Sequence, residues 1–254
     1  MNLFRRRSVL RLGLLGVVQL CACSTVGLNL PFDGAPVAPD GYRLKPTLGW
    51  LTTHKMTEPG GVPEGTVALS TQRIDKRPVW QQVRRLTTVQ GEFADSILLD
   101  RSTLRPIQTW RWTPQGTYIT RYNHRAVERV FRSPQGQVTR RNEILDIEPY
   151  SFLGIELLVS TLSMGEGQTG LVPVTVDTAE GGWAWVRYTV MRELDMVERP
   201  NARSMPVWIV DLEMTGERTR LWIAVEGRAV RRIERLGPDN EVLSTTRRML
   251  LGGP

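Results

Sequence analysis

Apolar and polar residues alternate along most of the chain after residue 65, and clusters of Gly, Pro, Asn and Ser interrupt the alternation at short intervals. A period of two places successive side chains on opposite faces of a β-strand, and the clusters are typical of turns. The pattern predicts strands at 66–71, 79–89, 93–100, 107–113, 118–122, 126–132, 138–142, 170–177, 183–193, 206–214, 219–226, 229–236 and 241–250. Short connections between successive strands favour an antiparallel meander.

One segment, 151–164, departs from this alternation. Its apolar residues are three or four positions apart, which is the spacing of one helical face: Phe152, Ile155, Leu158, Val159 and Leu162. The sequence therefore predicts an all-β fold, a mainly antiparallel meander forming a half-barrel or curved sheet. One helix near the middle packs on the sheet or plugs the mouth of a barrel.

The chain before the strands is of a different kind. Residues 23–64 are rich in Gly and Pro, which disfavour long helices and continuous sheets, so we interpret them as a tether. Residues 1–22 have a basic start and a short apolar run, as a signal peptide does. The predicted organisation is a leader over 1–22, a tether over 23–64 and an antiparallel β domain over 65–254.

The leader ends in Leu20-Cys21-Ala22-Cys23, which resembles a bacterial lipobox. In that motif small residues give the peptidase access, and the thiol, here that of Cys23, accepts a diacylglycerol, so that fatty acids such as palmitate become attached to this residue. We therefore expect a lipoprotein anchored to a membrane through Cys23. Because Ser24 and not Asp follows the acceptor, resemblance to Gram-negative sorting favours the periplasmic side of the outer membrane.

Arg6 and Arg7 form part of the export signal. They resemble a twin-arginine motif, but consecutive arginines are also common in leaders of the general secretory route. Both routes stay open. Either one delivers the domain to the cell envelope.

Charge and cysteine content restrict the partners. The four arginines of the leader account for four of the seven net positive charges, which leaves +3 on the mature chain. These charges are spread over strands, unlike the concentrated patch of nucleic-acid-binding proteins, so no nucleic acid is expected. Cys21 lies in the leader and Cys23 is the expected lipid acceptor, so the mature domain has no disulfide, and no later apolar run is long enough for a second membrane span.

No catalytic arrangement stands out, and we expect neither an enzyme nor a cofactor or metal site. His54 and His124 lack a neighbour at metal-ligand spacing. Asp146 and Glu148, like the pair Asp211 and Glu213, are two residues apart. On a strand each pair would share a face, where it could serve as catalytic carboxylates or as cation ligands. Solvated strand faces often carry such pairs, so this spacing alone does not indicate a site.

Seven of the eight tryptophans fall within predicted strands, and six of these are in positions where they could bind a ligand: Trp110, Trp112, Trp183, Trp185, Trp208 and Trp222. Trp110 and Trp112 share one strand face, as do Trp183 and Trp185. Such aromatic residues either line a ligand cavity or form the ordinary core of a sheet. The alternation leaves both interpretations open.

A resemblance to a known family adds to this picture. The run from Ile97 to Pro106, in which a strand ends at Asp100 and Leu-x-Pro follows, resembles an uncharacterised family of bacterial envelope proteins with a domain of unknown function. The helix region 152–165 and the strands containing 221–223 and 232–233 fit the same pattern over about residues 66–248. The layout is also similar to the half-barrel of the LolA/LolB lipoprotein carriers, whose curved antiparallel sheet and helices enclose an apolar cavity.

Two functions are compatible with these observations. The first is a non-catalytic binding module for an apolar or amphipathic ligand, such as a lipid or an acylated protein. The second is an envelope scaffold or assembly factor that binds a protein or an anionic polymer through its sheet surface. An apolar concavity would favour the first, and a filled core with an exposed patch would favour the second.

Overall fold

A single curved sheet of fifteen strands forms the body of the protein in the computed structural model, which describes residues 38–55, 64–88, 91–176, 181–197 and 203–251. The strands are β1 Thr47–Lys55, β2 Glu64–Ile74, β3 Arg77–Thr88, β4 Gly91–Asp100, β5 Pro106–Thr113, β6 Gly116–Asn123, β7 Ala126–Arg132, β8 Val138–Ile144, β9 Tyr150–Ser151, β10 Thr169–Thr175, β11 Trp183–Met196, β12 Met205–Met214, β13 Glu217–Ala224, β14 Val230–Leu236 and β15 Val242–Leu250. The predicted all-β architecture is confirmed.

Two meanders share this sheet. Strands β1 to β8 follow one another in order, as do β9 to β15, and β1 pairs with β15 at the point where the meanders meet. All neighbouring strands are antiparallel except β9 and β10. The chain therefore reverses direction at almost every strand, as the short predicted turns require.

Tight turns have the backbone that such hairpins need. Asp75 and Lys76, between β2 and β3, both have positive φ angles, of 48° and 68°. Thr215 and Gly216, between β12 and β13, also have positive φ. Two successive residues in this region form a type I′ turn, whose twist matches that of the paired strands.

Every predicted strand is present, but the prediction missed two others. Strand β9 is only two residues long, and β1 lies within the segment that we assigned to the tether, 23–64. That boundary needs correction, because β1 pairs with β2 on one side and with β15 on the other. Gly41 also belongs to the folded part, because its carbonyl accepts a 2.9 Å hydrogen bond from Nε1 of the buried Trp80.

The sheet is open and curved, as predicted, and it is not a closed barrel whose mouth the helix could plug. Within the described residues, β8 and β9 end the sheet. The physical reason lies in both edges: β8 is exposed along nearly its whole length and carries Arg140, Arg141 and Glu143, while β9 is too short to form a ladder. Charged, exposed edge strands discourage further pairing.

Side chains nevertheless connect the two ends of the sheet. Arg129 of β7 donates hydrogen bonds of 3.1 Å to the carbonyl oxygens of both Val176 and Gly182, which flank the connection between β10 and β11. The hydroxyls of Tyr122 and Thr175 are 2.7 Å apart. These contacts hold the sheet in its curved form.

The predicted helix is present in the expected place and is shorter than its apolar pattern. Phe152–Gly154 form a 3-10 turn and Ile155–Thr161 form α1, all of whose residues are buried. We call the face of the sheet that carries α1 the concave face, and the opposite one the outer face. Among the described residues, no helix has the length and apolar character needed to cross a bilayer.

Candidate ligand-binding cavity

A cavity of about 490 Å³ lies on the concave face. Its lining comes from the 3-10 turn, α1 and strands as far apart in the sheet as β5 and β11, because the curvature brings them towards one another. Six apolar residues of the lining, from the helical segment and from β12, β13 and β14, are called the apolar wall here: Phe152, Ile155, Leu212, Met214, Leu221 and Ile233. The volume lies in the range of ligand pockets, roughly 300–1,000 Å³.

Three charged residues meet within this cavity. Glu156 in the first turn of α1 faces Arg84 of β3 and Arg248 of β15. The Arg84 Nη2 atom is 3.3 Å from Glu156 Oε1, and Arg248 Nη2 donates a hydrogen bond to Glu156 Oε2. The side chain of Arg84 is 20% exposed, that of Glu156 is 11% exposed and that of Arg248 is 6% exposed. Solvent therefore screens these interactions little. We call these three residues the buried triad.

The surroundings shift the ionisation of the buried triad. Burial raises the pKa of the Glu156 carboxyl, but Arg248 and Arg84 together outweigh burial and hold this pKa below its ordinary value. Burial lowers the pKa of the Arg248 guanidinium, and the positive charge of Arg84 lowers this pKa further. Glu156 raises the pKa of Arg248 but does not outweigh these two effects. Because guanidinium groups stay protonated in proteins, the buried triad holds two positive charges and one negative charge.

The other charged residues of the lining form separate pairs. Arg111 Nε lies 2.8 Å from Oδ1 of Asp95, and Arg235 Nη2 lies 3.9 Å from Oε1 of Glu217. Each pair has one charge of each sign. The unmatched positive charge of the cavity is therefore that of the buried triad.

The predicted ligand-binding tryptophans are not among the residues that line this cavity. Arg111 lines it and lies between Trp110 and Trp112, so the alternation of a strand places both tryptophans on the outer face. By the same argument Val186 places Trp183 and Trp185 outside.

The remaining two tryptophans have different surroundings. Trp222 packs in a small outer cluster with Val207 and Ile209, while Trp208 packs against the main core. That the six tryptophans contact a ligand stays a prediction. The lining of the cavity does not support this prediction, because it includes none of the six.

Of the carboxylates singled out from the sequence, Asp211, Glu213 and Glu148 each lie within 4.0 Å of an arginine. Asp211 accepts hydrogen bonds from Arg220 at 2.7 and 3.0 Å. Glu148 Oε1 lies 3.4 Å from Nδ1 of the exposed His124. The described residues contain no group of three or more potential metal ligands.

Cys23 and the leader residues Arg6 and Arg7 lie outside the described residues. The structure therefore adds nothing to the predicted lipidation and export signal, which stay predictions from the sequence.

Sequence reasoning missed the buried triad, although a signal was present. Glu156 is the one charged residue in the otherwise apolar run 151–164. A charge at such a position is either solvent-exposed or paired in the interior. Its two partners are far away in sequence and could be found only from the folded sheet.

Comparison with known proteins agrees with the expectation of an uncharacterised family. Residues 53–236 match the family described as a protein of unknown function, DUF3108. The chain belongs to this family. The DUF3108 region includes Arg84 and Glu156 of the buried triad but ends before β15 and Arg248. No curated protein matches the sequence.

Proposed function

We propose that this protein is a lipid-anchored envelope lipoprotein that binds an apolar or amphipathic ligand and performs no catalysis. The observation that carries the proposal is the 490 Å³ cavity with its apolar wall on the concave face. Apolar pockets that contain a few polar groups are the usual sites for small ligands. Burying a hydrocarbon chain against the apolar wall would be favourable by about 25 cal/mol per Å² of apolar surface.

The similarity to the LolA/LolB layout supports a ligand of this kind. In both cases a curved antiparallel sheet faces helical residues across an apolar space. In this chain Phe152 and Ile155 supply the helical side, and β12 and β13 supply the facing sheet. A lipid or an acylated protein is the ligand class that fits.

The leader supports a location in the envelope. Cys23 would accept the lipid, and Ser24 favours the outer membrane in a cell with two membranes. A lipoprotein has two or three acyl chains, which is enough for stable anchoring. Labelled palmitate should be incorporated into the full chain and lost in Cys23→Ala, and persistence of the label would contradict this anchor.

A second function is favoured by the outer face. Leu48, Trp50, Met249 and Leu251 are each between 42% and 49% exposed. Trp50 is the backbone partner of Met249, so at least these two side chains are neighbours. Apolar patches on a surface often mark protein contacts, as an envelope scaffold would need.

One labelling experiment separates the two functions in the native membrane. Cells producing the full chain are fed a photoreactive, alkyne-tagged fatty acid and irradiated, and modified peptides are then identified by mass spectrometry. Binding in the cavity predicts adducts on the apolar wall, in β12, β13 and the segment 152–156. Adducts confined to the outer face would contradict the proposal and favour the scaffold.

A pair of variants controls for chance labelling. Thr219 lines the cavity, so Thr219→Trp should fill part of the cavity and remove most adducts on the apolar wall. Thr139 lies on the exposed strand β8, and Thr139→Trp should leave the adducts unchanged. Equal labelling of both variants would show that the adducts do not report binding in the cavity.

A further inference from the structure

We propose that the ligand carries a single anionic headgroup, a carboxylate or a phosphate monoester, that binds between Arg84 and Arg248. Its hydrocarbon part then lies against the apolar wall. This inference rests on the proposed function and specifies its ligand. The inference is carried by one arrangement: two buried arginines and a single carboxylate lie together beside the apolar wall of the cavity.

The charge balance of the buried triad is the first argument. Arg84 and Arg248 share Glu156 as their one acidic contact among the described residues. The other lining charges, Arg111 and Arg235, have acidic partners of their own. One positive charge is thus unmatched in a poorly solvated place, where an unpaired charge is unfavourable. An anion in the cavity would neutralise it.

Unused hydrogen-bond donors are the second argument. The Nε atoms of Arg84 and Arg248 are buried and lack a hydrogen-bond partner in the described part of the chain. Each guanidinium has five N–H donors, and Glu156 receives its bonds from the Nη2 atom of each. Carboxylates and phosphates accept parallel bonds from guanidinium groups, so such a headgroup could take up donors that Glu156 leaves unused.

The position of the triad is the third argument. Arg84, Arg248 and Glu156 line the same cavity as Met214 and Leu221 of the apolar wall. A ligand with an acidic head and a hydrocarbon tail would satisfy both regions at once. A neutral lipid would leave the positive charge unmatched, and a free inorganic anion would leave the apolar wall uncovered.

Glu156 competes with such a headgroup, because both accept bonds from the same two arginines. Glu156→Gln should therefore increase the affinity for an acidic amphipath, while Arg84→Gln should decrease it. Charge-assisted hydrogen bonds of this kind correspond to changes of about 10- to 100-fold in affinity. Opposite effects of two substitutions in one cluster are not expected from simple loss of structure.

The test uses the full chain in membrane vesicles and three photoreactive probes with the same twelve-carbon chain. The probes are dodecanoate, dodecyl phosphate and the neutral dodecanol, and labelling of the apolar wall is measured against probe concentration. For each probe, labelling of a variant is compared with labelling of the wild type by the same probe. Partition of the probe into the vesicle is then the same in both measurements and does not affect their ratio. Arg121→Gln, a change at an arginine outside the cavity, is the matched control and should have no effect.

We expect Glu156→Gln to tighten labelling by an acidic probe by about tenfold and Arg84→Gln to weaken it by about tenfold, with dodecanol unchanged. Unchanged dodecanol labelling also shows that the variant cavity is folded. Stronger labelling by dodecyl phosphate or by dodecanoate identifies the headgroup.

Three results would overturn parts of the account, and they are distinguishable. If no probe labels the apolar wall, the proposed function fails. If all probes label it but neither substitution distinguishes acid from alcohol, the function stands and the anionic headgroup is refuted. If inorganic phosphate alone displaces the acidic probes at equal concentration, the hydrocarbon chain does not contribute, and the amphipathic ligand is refuted.

Discussion

Replacing Arg129 with leucine tests the contact that joins the two ends of the sheet. The Arg129 side chain is 7% exposed and donates to Glu143 Oε1 from Nε at 2.9 Å and from Nη2 at 2.6 Å. It also donates to the carbonyl oxygens of Val176 and Gly182. Leucine keeps an apolar side chain there and removes all four bonds.

The magnitude follows from burial. Removing one partner of a buried ion pair costs about 3–5 kcal/mol, because the remaining charge stays buried without a counter-charge. Glu143 is 16% exposed and has a second, weaker contact with Arg141 at 3.8 Å, so we expect a loss near the lower end of this range. The two carbonyl oxygens would also lose their partner.

Equilibrium unfolding in urea measures the change in the free energy of unfolding. Arg121→Leu is the matched control, because Arg121 and Glu128 lie on neighbouring strands, are 52% and 36% exposed, and form a 2.8 Å ion pair. An exposed pair of this kind contributes about 1 kcal/mol or less. A loss for Arg129→Leu as small as that for the control would refute the role of Arg129 in holding the curved sheet.

Three further substitutions test other contacts. Trp80→Phe removes the buried donor to the Gly41 carbonyl and should cost about 1–3 kcal/mol in urea unfolding, and no loss would contradict that role. Burial raises the pKa of Asp100, but four hydrogen bonds in its turn outweigh burial and lower this pKa below its ordinary value. Asp100→Ala should therefore destabilise at pH 7, and the difference from the wild type should shrink only as the pH falls from about 4 through the lowered pKa; a constant difference across a pH series would contradict this. Gly116→Ala would place a Cβ atom 2.5 Å from the Arg132 carbonyl oxygen at a φ of 142°, so its melting temperature should fall, and an unchanged value would refute the strain.

The strands were predictable because their signals are local. Alternation and turn residues lie within each hairpin, and the predicted strand end at Asp100 coincides with a turn in which Asp100 accepts hydrogen bonds from the backbone N–H groups of Ser102 and Thr103. Strand β1 was missed because its sequence follows a Gly/Pro-rich segment and its pairing is distant: Thr53 meets Thr246 across 193 residues. No local pattern contains that contact.

The cavity was less predictable for a related reason. Alternation correctly separates Arg111 from Trp110 and Trp112 but does not say which face is concave. The ligand-binding hypothesis requires Trp110 and Trp112 to face the cavity, but Arg111 lines the cavity instead. Which face of the sheet is concave depends on the curvature and on the position of α1. Gly154 allows α1 to lie close to the sheet, because a Cβ atom at this position would lie only 3.1 Å from Cδ1 of Ile97.

Methionine oxidation tests the central claim most directly, because Met214 and Met249 lie on opposite faces of the sheet. Met214 belongs to the apolar wall, while Met249 is 42% exposed and adjoins the cavity-lining Arg248, which places it on the outer face. The full chain in vesicles is oxidised briefly with and without dodecanoate, and both sulfoxides are quantified by mass spectrometry. The account predicts slower oxidation of Met214 with the ligand and no change at Met249. Protection of Met249 alone, or of neither residue, would contradict binding in the cavity.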